Sequence, residues 1–261
     1  YHPTLFLSAT GLAPFELDQL NAILEVKPVR AELPNLPLRP PYTPQACFPL
    51  LLPSLFPEQS RILFVDADML FLEDVSQIWE VELGGRALAA VADMAIPTVA
   101  SPRGIYAPEK FGIPPSRPYF NAGLMLVDLD RWRELQVVER AMRHVQSGRL
   151  DFLHQEALNI ELWNDWLALP RRWNLIGSLA GRRYGHFPLE APAGIHFAGA
   201  FKPWLIDTAS PFQARYTEVL LRVAENRPRA SWRHRLAGCY DRYLRDYLYP
   251  LERFLWRRRL L

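Results

Sequence analysis

Two carboxylates two residues apart, Asp66 and Asp68, follow a short apolar run, Arg61-Ile-Leu-Phe-Val65. If that run is a strand, the chain leaves its pleat at Asp66, and both side chains can turn towards one hard cation. Mg²⁺ or Mn²⁺ prefers such oxygen ligands and keeps coordination positions open for phosphate oxygens. An isolated Asp-x-Asp is a weak signal, and the chain holds a second at Asp128-Leu-Asp130. The segment Ile195–Trp204, IHFAGAFKPW, adds context by gathering an imidazole, a glycine and a lysine. His196 offers a nitrogen ligand, which favours Mn²⁺ over Mg²⁺. Gly199 permits close backbone approach to a diphosphate. Lys202 can neutralise a phosphate oxygen as a compact point charge. Lysine is scarce, with only Lys27, Lys110 and Lys202 among thirty basic residues. Taken singly, His196 and Lys202 read equally well as a strand histidine met by a neighbour and an ordinary surface lysine.

Two more stretches carry polar groups where apolar elements begin. Tyr119–Leu129, YFNAGLMLVDL, puts Asn121 and Gly123 at the mouth of an apolar strand. Phe152–Asn159, FLHQEALN, opens a helix with His154, Gln155 and Glu156 in its first turn, where a sugar hydroxyl could be met. Capping and strand-end packing explain such groups as well.

The elements that must position these residues are legible in the periodicity. Thr4–Ser8, Arg61–Val65, Ala87–Ala92, Leu124–Val127 and Ile195–Phe197 read as buried strands. Pro14 opens a helical pattern, and further helices are expected over Arg131–Gln146 and Leu153–Leu162. Strands alternating with helices predict an α/β fold whose mainly parallel mixed sheet is flanked by helices. Nine prolines between Pro28 and Pro57, and six between Pro97 and Pro118, read as loops pinned in shape.

With 49% hydrophobic residues in 261, the chain can bury a sizeable core, which excludes general disorder. Two cysteines cannot build a disulfide framework or a four-cysteine zinc site, and they lean towards a reducing compartment. No apolar window is long enough for a transmembrane helix, and the start lacks the form of a signal peptide. The net charge of +2 hides an asymmetry, because residues 227–261 carry ten arginines against Asp241, Asp246 and Glu252.

The order VDADMLF, YFNAGLMLVDL, HQEALN, IHFAGAFKPW resembles the retaining family 8 glycosyltransferases, which include bacterial lipopolysaccharide hexosyltransferases and glycogenin. The resemblance runs from about Leu5 to about Trp204. It implies a single GT-A-like domain, residues 1–226, and a UDP-sugar donor, UDP-glucose or UDP-galactose, with Mn²⁺ (or Mg²⁺) on its diphosphate. Asp66, Asp68 and His196 then match the metal ligands. Gly199 and Lys202 match the diphosphate contacts, Ala67 falls among the donor-binding residues, and Asn121 matches a contact to the donor sugar. Gln155 matches the residue beneath the anomeric carbon, and Glu156 a carboxylate near the transferred sugar. The implied reaction moves a hexose to a glycan acceptor. Because Gln155 is an amide, a front-face route is favoured over a covalent intermediate on Glu156. The sequence departs from the family's pattern in three places. Leu5–Leu17 corresponds to the second strand and helix, so the opening strand–helix unit is expected to be missing. Pro49 stands where an arginine is usual, and His154 where an aspartate is usual.

Residues 227–261 form a separate basic, aromatic segment that suits a helix lying on anionic lipid, or one packed on the body with a solvated arginine face. Nucleic acid is disfavoured, because no recognised binding motif accompanies the patch. A lipid-linked glycan acceptor and a peripheral position on the cytoplasmic face of a membrane fit the first alternative. The rival to an enzyme is a non-catalytic relative that keeps the fold and binds a nucleotide, a glycan or a membrane.

Overall fold

The computed structural model describes residues 5–8, 18, 25–32, 35–38, 42–176, 191–199, 202–204 and 212–223. The helical pattern at Pro14, apart from Asp18, and the basic segment 227–261 lie outside the described residues. The chain forms two compact units interleaved in sequence. The first takes residues 1–62 and 128–161, and the second residues 63–127 and 162–261. Along the chain the α-helices are α1 (Leu52–Leu55), α2 (Ser76–Trp79), α3 (Leu129–Glu134), α4 (Val137–Gln146), α5 (Leu153–Glu161) and α6 (Gln213–Val223).

In the first unit, β1 (Leu5–Ser8) and β2 (Val26–Val29) pair in parallel, with Leu5 opposite Val26. The stretch of prolines expected to be pinned loop is partly helical. A 3-10 helix spans Pro44–Leu51 and runs into α1. Pro44 and Pro53 sit in first turns, where a missing N–H forfeits no hydrogen bond. Cys47 is fully buried there, and burial pushes its thiol up to about 11, which makes it unreactive.

The second Asp-x-Asp proves to be a helix start. Asp128 caps α3 by accepting the Arg131 N–H at 2.8 Å, and Asp130 pairs with Arg133. The expected single helix from Arg131 breaks in two at Gln136, whose φ is +50°, and α4 begins directly after it. Arg140 and His144 of α4 both bind Glu161 of α5, at 2.5 and 2.6 Å, and fix that helix pair.

The second unit holds the larger sheet and most of the apolar core. β3 (Arg61–Val65) fills the predicted strand, and the chain turns through Asp66–Asp68 into β4 (Met69–Phe71) and the single turn of α2. Then come β5 (Leu88–Ala92), β6 (Phe120–Asp128), β7 (Trp166–Ala168), β8 (Leu175–Ile176), β9 (Gly194–His196) and finally α6. One sheet has the order β3-β6-β5-β7 and another β4-β9-β8. β5 runs antiparallel to β6 and parallel to β7, so the sheet is mixed. Ile78, Val91, Leu124, Leu126 and Trp173 make one buried cluster with Ala89 beneath the sheet.

β6 is longer than expected and takes in Asn121 and Gly123, which the sequence put at its mouth. Its register explains why: Ala90 pairs with Met125, but the next residue, Val91, pairs with Asn121. Ala122–Leu124 therefore bow out as a bulge, a device that re-aims side chains beside sites.

Candidate metal centre

The bulge and the turn after β3 build one cluster. Asp66 leaves β3 with its N–H on the Gly123 carbonyl at 2.8 Å, and its own carbonyl accepts the Met69 N–H at 3.2 Å. The Asp68 carbonyl accepts the Phe197 N–H at 2.9 Å, while Met69 lies opposite His196 in the β4–β9 ladder. Backbone bonds thus bring a turn and a distant strand together. His196 Nε2 stands 3.2 Å from Asp68 Oδ1 and 3.6 Å from Asp66 Oδ2. One ligand atom from each of the three residues falls within 4.8 Å of the others. Gly123 makes the approach possible. A Cβ there would lie 2.4 Å from His196 Cε1 and 2.9 Å from Asp66 Oδ2.

The two carboxyls differ electrostatically. Burial and the neighbouring Asp68 raise Asp66 towards 6, against the pull of His196 and Lys202, although 38% of its side-chain surface stays open to solvent. For Asp68 burial also acts upward, but the hydrogen bond and charge of His196, with Lys202 beside it, hold the carboxyl well below the usual range. Lys202 ion-pairs with Asp68 Oδ2, donates to the Phe197 carbonyl at 3.0 Å and lies over the Trp204 ring. Gly199 has φ +84°, a conformation suited to glycine. Ala67 and Asp68 border a small apolar cavity of about 140 Å³ with Met69, Phe197, Trp204 and Tyr216.

Behind His196 runs a line of buried polar groups, of which sequence reasoning named Asn121 but not Asn174 or Asp93. His196 Nδ1 lies 2.9 Å from Asn174 Oδ1, and the Asn174 amide donates to Asn121 Oδ1 at 2.9 Å. Asn121 Oδ1 also accepts the Gly123 N–H at 3.0 Å, and Asn121 Nδ2 donates to Asp93 Oδ2 at 2.9 Å. Asp93 follows an apolar strand just as Asp66 does, which was its one visible signal. Asn174 gave none, for it is a single amide after a tryptophan in an unremarked loop.

Two carboxylates and an imidazole, the ring braced from behind, fit a divalent cation of borderline hardness. The sequence pattern that defines glycosyl transferase family 8 matches residues 18–208. This chain belongs to glycosyl transferase family 8. The family 8 chain is 29% identical over 190 residues to general stress protein A of Bacillus subtilis, covering 67% of the chain and 64% of that protein. It is 29% identical over 153 residues to lipopolysaccharide 1,2-glucosyltransferase of Escherichia coli, covering 55% and 44% respectively. The chain thus spans less than two thirds of these curated relatives. The galactosyltransferase LgtC, solved with donor and acceptor sugar analogues, superposes with a TM-score of 0.66 at 20% identity, over 83% of this chain and 84% of its own. That likeness establishes the GT-A fold.

Gln155 and Glu156, which the sequence leads one to expect near the transferred sugar, lie in the first unit. Gln155 and Glu156 begin α5, as expected. The Gln155 carbonyl accepts from the Asn159 side chain at 2.9 Å. Glu156 is 3% exposed, and its carboxylate accepts the backbone N–H of Asp151 at 2.9 Å and of Phe152 at 3.4 Å, closing the start of the helix. Next to them, His154 has a buried Nδ1 without a hydrogen-bond partner, and burial pushes the ring down to about 4. In the unfolded chain the same ring titrates near 6.5. Between those values the unfolded state binds the extra proton, so stability falls as pH drops from 6.5 towards 4. The largest loss is about 3 kcal/mol, since each tenfold change in the ring's proton affinity is worth about 1.4 kcal/mol. Urea unfolding at pH 7 and pH 5 of wild type and of His154→Leu should differ by that slope, because the raised Asp66 carboxyl acts in the opposite sense in both proteins.

Proposed function

We propose that the chain transfers a hexose, with retention of configuration, from a UDP-sugar to a glycan acceptor. The observation that carries this reading is the convergence of Asp66, Asp68 and His196 on one point in a family 8 chain. Those three residues would hold Mn²⁺, or Mg²⁺, and a divalent ion there would offset charge developing on the departing diphosphate. Lys202 supplies a further positive charge, and Gly199 allows a close backbone approach to the phosphates. Ala67 and Asn121 are assigned to the donor's nucleotide and sugar.

In this mechanism UDP leaves unprotonated. Gln155 supports the oxocarbenium-like carbon through its side-chain oxygen, and a phosphate oxygen takes the proton from the acceptor hydroxyl on the same face. Glu156 contributes by shaping the start of α5, since its carboxylate is engaged by backbone N–H groups. UDP-glucose and UDP-galactose are the favoured donors. The relative named a lipopolysaccharide glucosyltransferase supports a lipopolysaccharide or other cell-surface acceptor, reached from the cytoplasmic face of the membrane. The arginine-rich residues 227–261 would bring the enzyme to anionic lipid.

The test is UDP release from a panel of UDP-hexoses, with Mn²⁺ and with EDTA. One sugar should be turned over with Mn²⁺, and EDTA should remove the activity. If no UDP-sugar is consumed and UDP itself does not bind, the catalytic reading is lost to a binding role.

A further inference from the structure

The polar line behind His196 can be read for its protons, starting from a group whose role is fixed. The Gly123 backbone N–H can only donate, so the Asn121 side-chain atom 3.0 Å from it is the oxygen. The Asn121 amide nitrogen then faces Asp93, whose carboxylate accepts from it and from the N–H groups of Ala95 and Ile96. Because Asn121 presents its oxygen, the Asn174 group 2.9 Å away must be the NH₂. Asn174 therefore turns its oxygen to His196 Nδ1, and an amide oxygen only accepts. The proton on His196 is thereby assigned to Nδ1. In the neutral ring the lone pair belongs to Nε2, the nitrogen facing Asp66 and Asp68.

That arrangement is not the one the ring would choose from its nearest carboxylate alone. Asp68 Oδ1 lies 3.2 Å from Nε2, so a neutral ring with its proton on Nε2 could donate to Asp68. Such a ring could not ligate a cation through that nitrogen. The four groups of the relay are all buried, Asp93 at 5%, Asn121 at 7%, Asn174 at 2% and His196 at 3% exposure. Breaking any link would strand a donor or acceptor away from water.

We infer that Asn174 is a positioning residue, backed by Asn121 and Asp93, that holds His196 in its Nδ1–H tautomer and keeps the Nε2 lone pair turned to Asp66 and Asp68. This rests on the reading of the cluster as a metal centre. It also gives Asn121 a part in orienting the centre, beside any contact it makes with a sugar.

The experiment uses the whole chain with ¹⁵N-labelled histidine, free of metal, at a pH where the His196 ring is neutral. Long-range ¹H–¹⁵N correlations report which ring nitrogen carries the proton. Wild-type protein should show Nδ1–H. Asn174→Leu should move the proton to Nε2 and weaken Mn²⁺ binding, followed by the electron paramagnetic resonance signal of free Mn²⁺, by about 10- to 100-fold. Asn174→Asp keeps an oxygen for Nδ1–H but loses the donor to Asn121. It should retain the wild-type tautomer and most of the affinity, whereas a purely structural role would leave it at least as damaged as the leucine variant. An Nε2–H ring in wild-type protein overturns the proposal, whatever the variants do. So does an Asn174→Leu protein with wild-type tautomer and Mn²⁺ affinity. The ring measurement needs no metal, so absence of Mn²⁺ binding by wild-type protein would instead overturn the metal-centre reading.

Discussion

Asp68→Asn is expected to cut Mn²⁺-dependent release of UDP by about 1,000-fold or more, the scale seen when a preorganised charge partner is lost from a transition state. Asp68 does more than its neighbour because it is committed on every side. Oδ1 meets His196, Oδ2 meets Lys202, and its backbone carbonyl anchors Phe197. The amide keeps the shape but removes the charge that pairs with Lys202 and faces His196 Nε2, and that charge is fully present at neutral pH because the carboxyl is held far down. The loss should appear mainly in kcat, with Mn²⁺ affinity falling in parallel. Circular dichroism and a thermal melt distinguish this from unfolding. If Asp68→Asn turned over its donor at near the wild-type rate, the metal centre would have to lie elsewhere.

Gly123→Ala is the second large effect, and it acts through volume alone. The added methyl would sit 2.4 Å from His196 Cε1 and 2.9 Å from both Asp66 Oδ2 and His196 Nδ1. Neither neighbour can yield easily. The ring is tied to Asn174 and to the β9 backbone, and Asp66 is tied through its N–H to the residue that has grown. Overpacking of this kind costs about 1–3 kcal/mol of stability. The displaced ring should also lower Mn²⁺ affinity by about 100-fold, by analogy with lost support around metal ligands. A Mn²⁺ titration beside a thermal melt checks both. An alanine variant that bound Mn²⁺ normally would mean that β6 can shift without disturbing the cluster.

Much of the fold could be read from apolar runs. Arg61–Val65 is a half-buried strand at those limits because four consecutive apolar residues follow Arg61 and two aspartates stop it. The short strands β4, β7, β8 and β9 lie below the length at which periodicity speaks, except where Ile195–Phe197 stood out. The helix pattern over Arg131–Gln146 hid a break, because Gln136 takes a left-handed conformation that neither Gly nor Pro announces. The two Asp-x-Asp pairs look alike in spacing but differ in the element each one leads into. Asp128 precedes an amphipathic helix and caps it, while Asp66 precedes a turn into a strand. The clustering of Asp66, Asp68, His196 and Lys202 could be anticipated because their types are costly to bury without a partner. Asn174 could not, because its role exists only through partners at Asn121 and His196, which no local pattern connects.

The interleaving of the two units has a consequence during synthesis. The first unit cannot be completed until α5 has left the ribosome, because Glu161 closes the helix pair that residues 1–62 accompany. The aspartate turn emerges well before the bulge that receives its N–H, and earlier still than the strand bearing His196. Contacts so far apart in sequence form late. Until β9 emerges, the nascent chain exposes the pair of acidic side chains just ahead of β4, a strand that still lacks its partner. Chains stalled between Val127 and Gly194 should therefore be more open to protease at residues 66–72 than finished ones.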